Sequence, residues 1–198
     1  MNEKLIAKVK SYCKEIMESS RCKNLPFHNW QHTLDVVRIA KSLAEHEHLP
    51  EETTEELIIA CYFHDIGNVN GAAGHEKVSC EYAQEYLTKK GYPNQRIINV
   101  IYNIKATKMP QHPETMSEKI ICDADLAHLG KNNFLTKNSN LRKEWELYND
   151  LIFTDEQWAA MNANFLKSHS FHTAYAQKHF SEQKIKNINV LEDRAFPS

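Results

Sequence analysis

Apolar residues recur along this chain every three or four positions rather than every second one. Leu5, Ile6, Val9, Tyr12, Cys13, Ile16 and Met17 fall on one helix face, because 3.6 residues per turn brings that spacing together. The same rhythm returns from about Trp30 to Glu47, where Val36, Val37, Ala40, Leu43 and Ala44 face inward and Pro50 follows. A third helix is expected after Glu51-Glu52-Thr53-Thr54, whose acids and hydroxyls suit a helix N-terminus. It runs on to His64-Asp65 with apolar residues on nearly every side, the pattern of a central buried helix. Gly67, Gly71 and Gly74 then open a loop. Another helix is expected from near His75 to about Lys90, stopped by Gly91-Tyr92-Pro93. Further helices are expected at 94–106, 117–129, 138–149, 154–167 and 171–191, with a loop over Lys108–Pro113. The sequence has no alternating stretch long enough for a sheet, no internal repeat and no low-complexity linker. The expected fold class is all-α, one helical domain over 1–198.

Composition narrows the function. Of 198 residues, 41% are hydrophobic and 25% charged, ordinary values for a globular protein. A net charge of −2 leaves no basic stripe for a phosphate backbone, so nucleic acid is not an expected partner. Cys13, Cys22, Cys61, Cys80 and Cys122 are scattered with no CxxC spacing. That pattern argues against disulfides and thiolate zinc, and for reduced cysteines in a cytoplasmic protein. No stretch approaches the apolar length of a membrane span, and the charged N-terminus is no signal peptide. A homodimer remains open. The eleven histidines are a high share, and such a bias points to metal chemistry.

Three segments could carry that chemistry. His64-Asp65 closes the most apolar helix and precedes Ile66-Gly67-Asn68. An imidazole and a carboxylate there are costly to bury unless paired or coordinated, the bland alternative being a cap beside a satisfied core histidine. His28 and His32 stand one helical turn apart. Pro26 and Phe27 put His28 at or before the helix start, as a cap or a support, and leave His32 as the better ligand. Asp123 and Asp125 lie between apolar residues and cannot face the same way in a helix. One can reach a metal while the other orients a ligand or caps; two ordinary solvated acids are the alternative. Two histidines and two aspartates make an oxygen and nitrogen donor set that suits Mn, Fe, Co, Ni, Mg or Zn. Such an ion lowers the pKa of a coordinated water and polarises a phosphoryl oxygen.

The ordered set His32, His64-Asp65, Asp125 resembles the H…HD…D signature of the HD superfamily of metal-dependent phosphohydrolases. The resemblance implies an all-α fold with one or two metals at its centre, and it places the last ligand at Asp125, with Asp123 behind it. The strings HNWQHT (28–33), ACYFHDIG (60–67), GHEKVSCEYA (74–83), IKATKMP (104–110), ICDADLAHLG (121–130) and LRKEWE (141–146) look like one subgroup. It is the HD domain that in some bacteria precedes a membrane-bound effector domain of the Pycsar anti-phage type. The resemblance covers roughly residues 20–190. The chain ends at Ser198 without a hydrophobic tail, so no effector role is expected of it. In two-metal members a histidine at the position of His75 binds the second ion. The further histidines such members use are not apparent near Thr107, and a single metal is expected here. His75 is then a general acid or phosphate contact and Glu76 a water-positioning base, unless Glu76 only stabilises the helix dipole. Lys105, Thr107 and Lys108 are the candidate substrate-binding residues, with solvated surface lysines as the alternative. The expected reaction is hydrolysis of a phosphomonoester or phosphodiester, with a nucleotide or cyclic nucleotide as substrate. A di-iron oxygenase and a non-catalytic nucleotide sensor are the competing functions.

Overall fold

The computed structural model describes residues 1–148 and 151–196. Among them are nine α-helices and no strand. They fall into two compact units, Met1–Asp125 and Leu126–Ser198, each described by itself.

The first unit holds α1 (Glu3–Glu18), α2 (Trp30–His46), α3 (Glu51–Phe63), α4 (His75–Lys89), α5 (Asn94–Ala106) and α6 (Met116–Asp125). Helix α3 is its axis, and every other helix of the unit packs on it. Each residue from Glu55 to Phe63 is buried, so the all-round apolar pattern does mark a central helix. Helix α1 lays Leu5, Ile6, Val9, Cys13 and Met17 on the core, whereas Tyr12 and Ile16 are half-buried at the edge of its stripe. The inward set expected for α2 is buried throughout. Helix α4 stops where Gly91 takes φ +69° and the Tyr92 amide turns back to the Leu87 carbonyl at 3.0 Å.

Helix α3 begins four residues earlier than expected. Pro50, with φ −55°, stands at its N-cap, and its carbonyl accepts the Thr54 amide at 2.8 Å. Glu51 and Glu52 therefore lie inside the first turn, where they complement the helix dipole. Below them, Glu55 and Glu56 are buried and would be prohibitive if bare. Arg96 of α5 holds both. Its Nε donates to Glu56 Oε1 at 2.7 Å, and its Nη2 lies 3.2 Å from Glu55 Oε1. The Tyr92 hydroxyl adds a 2.9 Å bond to Glu55, and Asn99 adds one of 3.0 Å to Glu56.

The stretch expected as one helix over 117–129 is α6 followed by a tighter 3-10 turn, Leu126–Gly130. The second unit contains that turn with α7 (Phe134–Tyr148), α8 (Asp155–Ser168) and α9 (Ala174–Ala195). Helix α7 starts a turn earlier than expected, and its expected end at Asn149 lies outside the described residues. Thr154 is the N-cap of α8, with a reciprocal Gln157 capping box, rather than its first residue. Thr173 likewise caps α9, which therefore starts three residues late. Buried Asn138 ties α7 to α8, donating to Asn162 Oδ1 and accepting from Trp158 Nε1, both at 2.7 Å. Gly130 leaves room for α9, since a Cβ there would sit 2.4 Å from the Phe180 carbonyl oxygen.

Arg96→Met removes the cation that two buried carboxylates share. Unfolding free energy should fall by about 3–5 kcal/mol, read as a lowered urea midpoint with an unchanged slope. A midpoint shift no larger than that of an exposed Lys→Met control would rule out the clamp.

Candidate metal centre

The candidate ligands sit where helices end. Asn29 caps α2, its Oδ1 accepting the amides of Gln31 at 3.0 Å and His32 at 3.2 Å. This places His32 in the first turn with only 4% of its surface exposed. His64 is the C-cap of α3 and is 1% exposed. Its Nδ1 lies 2.8 Å from the Cys61 carbonyl, a contact that requires the proton on Nδ1 and aims Nε2 inward. Asp65 follows directly, and Asp125 closes α6.

Four atoms converge. His32 Nε2 is 3.0 Å from Asp125 Oδ1 and 3.4 Å from Asp65 Oδ2. His64 Nε2 is 3.2 Å from Asp65 Oδ2 and 3.7 Å from Asp125 Oδ1. Ligand atoms of His32, His64 and Asp125 all lie within 4.8 Å of one another. Donors at about 2.0–2.2 Å from a shared cation stand about 3.0–3.5 Å apart, so His32, His64 and Asp125 could hold one ion after a small contraction, with Asp65 Oδ2 beside both imidazoles but outside that three-residue group. Two buried atoms of the group, His64 Nε2 and Asp65 Oδ2, meet no hydrogen-bond partner among the described residues; their 3.2 Å approach is misaligned for a bond. Buried polar atoms are rarely left that way, and a cation between them satisfies both. Two carboxylates and two neutral imidazoles carry a charge that a divalent ion cancels.

The other oxygen of Asp65 faces His75, whose Nε2 is 3.3 Å from Oδ1. The His75 Nδ1 is tied to the Ala72 carbonyl at 2.9 Å, fixing the ring at the start of α4. Glu76 Oε1 lies 3.9 Å from His75 Nε2. The register between α3 and α4 is held by Ser79, which is fully buried. Its hydroxyl donates to the His64 carbonyl at 2.7 Å and accepts the Gly67 amide at 2.9 Å. Gly67 is needed for that approach, because a Cβ would come within 2.0 Å of the His75 carbonyl oxygen.

The remaining candidates are placed differently. Lys105 and Lys108 are exposed, and Lys105 Nζ lies 5.9 Å over the Tyr102 ring. Thr107 is buried, and its hydroxyl donates to the Ile104 carbonyl at 2.8 Å within its own helix end. Sequence reasoning missed Ser79, for which no local pattern exists. It left His28 as a cap or support, yet Asn29 fills the cap.

Without a cation, burial works against charge here, but the pairing outweighs it. Burial would raise both carboxyls, yet His64 and His75 hold Asp65 well below the usual range, and His32 and His64 do the same for Asp125. Burial would lower His64, but Asp65 and Asp125 hold it well above its ordinary value. His75 is pushed up to about 9 by its bond to Asp65, against the opposing effect of burial.

Comparison with known proteins places this arrangement. The HD domain family model matches residues 29–129, and the chain belongs to that family. The crystal structure of Bacillus subtilis YpgQ in complex with ADP superposes with a TM-score of 0.67 at 16% identity, over 98% of each chain; at that identity the likeness is one of fold. Among curated proteins none matches the sequence significantly. No helix of the described residues is long and apolar enough to cross a membrane.

The pH dependence of metal-stripped protein follows from these shifts. A raised histidine pKa stabilises the fold in full below the ordinary 6.5 and ceases to do so as pH climbs through the folded value, about 9 for His75. The depressed carboxyls contribute above their ordinary 3.8 and stop contributing as pH falls below it. Protein in EDTA should therefore melt at progressively lower temperature between about pH 6.5 and 9. Added Mn should flatten that limb, because the cation takes the place of the protons. A melting temperature that is flat or rising over this window in EDTA contradicts the proton-bridged cluster.

Proposed function

We propose that the chain is a metal-dependent phosphohydrolase acting on a phosphomonoester or phosphodiester, with a nucleotide or cyclic nucleotide as substrate. The observation that carries this reading is the cluster of His32, His64 and Asp125 ligand atoms within 4.8 Å of one another, with Asp65 Oδ2 within 3.4 Å of both imidazoles and, like His64 Nε2, buried without a hydrogen-bond partner among the described residues. Membership of the HD family supports the reaction class. The ADP bound to the fold relative YpgQ supports the nucleotide. The same likeness, spanning nearly all of both chains, supports one HD-type domain over 1–198. The shared strings from HNWQHT to LRKEWE support the finer kinship with the domain found beside Pycsar effectors, and the buried free cysteines support a cytoplasmic setting.

In this reading His32, His64, Asp65 and Asp125 hold one divalent cation, from among Mn, Fe, Ni, Co, Mg and Zn. When bound, such an ion supplies a lowered pKa for water and a polarised phosphoryl oxygen. The protein's own groups do the rest. The Cys61 carbonyl keeps the His64 proton on Nδ1, so Nε2 offers its lone pair. His75 holds a proton on Nε2 against Asp65 Oδ1 and can deliver it to a leaving oxygen. Glu76, on the same turn, orients water beside it. Exposed Lys105 and Lys108 raise the local concentration of an anionic substrate, whereas Thr107 would first have to release the Ile104 carbonyl.

Purified protein should contain a stoichiometric transition metal or take one up. With Mn, Ni, Co or Mg it should convert at least one nucleotide or cyclic nucleotide to a dephosphorylated or ring-opened product. EDTA should abolish turnover. His64→Ala should cost more than the roughly 10–100-fold that follows loss of a mere ligand support. A metal-loaded wild type inert toward the whole panel would end the hydrolase reading, and oxygen consumption by an iron-loaded form would replace it.

A further inference from the structure

The second unit holds a covered imidazole and a buried ammonium that take no part in the metal centre. His169 ends α8, where its amide donates to the Phe165 carbonyl at 3.0 Å. Both nitrogens of its ring are covered by protein and meet no hydrogen-bond partner among the described residues. The ring is seated as an apolar one, edge-on to buried Phe171 at 4.8 Å and 6.3 Å from the Phe165 ring. Lys184 of α9 is only 9% exposed. Its Nζ donates to the His169 carbonyl and lies 5.7 Å over the Phe171 ring. His169 thus serves twice: its ring fills the space between two phenylalanines, and its carbonyl holds a buried cation.

The charges acting on the ring are of one sign. They are Lys184 and His172, the latter within the joint 169–173 that links α8 to α9. The 3-10 turn packed on α9 brings His128 and, just past it, Lys131, and no acid. Asp155 and Glu156 of α8 lie in its first turn, at the opposite end of the helix from His169. On α9, Glu182 is paired with Lys186 at 2.7 Å and Glu192 with Lys167 of α8 at 2.5 Å, while Asp193 is exposed. A proton on the seated ring would add a second covered cation beside Lys184, with no acceptor for either ring N–H. Letting the ring out to water costs less. Burial, aided by Lys184 and His172, accordingly pushes the His169 pKa down to about 4.

We propose that His169 and Lys184 form an acid-released latch between α8 and α9: on taking up a proton the His169 ring leaves its seat, its carbonyl leaves Lys184, and the joint 169–173 opens. The latch is independent of the metal centre and of the reaction proposed for it.

The sign of the pH dependence follows from the ring being neutral when seated. An opened ring takes its proton near the ordinary 6.5. The latch is therefore fully engaged above that pH and weakens as pH falls, by about tenfold in the closed-to-open ratio per pH unit, levelling off near pH 4.

The test is amide hydrogen exchange of the full-length protein in EDTA, so that acid release of a metal does not contribute. The amides to follow are His169, bonded to Phe165, and Ala176 and Gln177, bonded to Thr173. In wild type their protection, corrected for intrinsic exchange and taken relative to α3, should fall roughly tenfold per unit below pH 6.5. In His169→Phe and His169→Gln, neither of which titrates, it should stay level. A second measurement needs no variant: the wild-type His169 imidazole should keep its neutral-ring nitrogen resonances until well below pH 6.5. Proton uptake near pH 6.5 with these amides still protected, or one protection profile shared by wild type and both variants, would overturn the latch.

Discussion

A charge buried without a counter-charge costs several kcal/mol even after the protein relaxes around it, and the first unit is organised around four such carboxylates on or beside α3. Glu55 and Glu56 lie near its start, Asp65 just past its end, and Asp125 approaches Asp65 from α6. Between them runs an apolar segment, Leu57 to Phe63, that fixes the helix in the core. Such a helix can slide or rotate only if both polar ends are released together. Burial supplies the driving force; the carboxylates supply the registry.

The two ends solve the same problem by different chemistry. At the start, Arg96 brings a permanent cation whose planar donors reach both glutamates, helped by Tyr92 and Asn99. The arrangement is complete, and its guanidinium does not titrate in the physiological range. At the other end the groups set against Asp65 and Asp125 include the imidazoles of His32, His64 and His75. Histidine can surrender its proton, and once it does, the same nitrogen is a ligand. A cluster of this composition is stable with protons when no cation is present and exchanges them for a metal when one arrives. That exchange separates a binding centre from a structural clamp made of the same carboxylates.

What could be read from the sequence follows from how local each signal is. The expected bounds of α2, α4 and α5 agree with the structure to within a residue, and the apolar stripe of α1 falls inside Glu3–Glu18, because amphipathic burial is written along the helix itself. Helix α3 starts before the Glu51-Glu52-Thr53-Thr54 stretch ends because threonines and glutamates serve in a first turn as well as in a cap. The switch to a 3-10 turn after Asp125 has no local punctuation, since the next glycine is Gly130. For the site, the gathering of His32, His64, Asp65 and Asp125 was legible through charged residues stranded in apolar surroundings and through the family's order of motifs. Ser79 was not, because its role consists of two bonds to main-chain atoms twelve and fifteen residues away. Thr107 looked available as a ligand and is instead spent on its own helix end.

Asp65 divides the centre into two halves. Its Oδ2 is turned inward, against His32 and His64, and its Oδ1 outward, against His75. One carboxylate thus joins the groups that can hold a cation to the groups that can meet a substrate, and any shift in one half is felt in the other within a few ångströms. The supports match this division. The inner half is fixed by the Cys61 carbonyl and the Asn29 cap. The outer half is fixed by the Ala72 carbonyl and, through Gly67 and Ser79, by the close approach of α4 to the end of α3. Both halves are thus carried by helix ends, the inner groups by those of α2, α3 and α6 and His75 with Glu76 by the first turn of α4, so each half holds its geometry through an element anchored in the core.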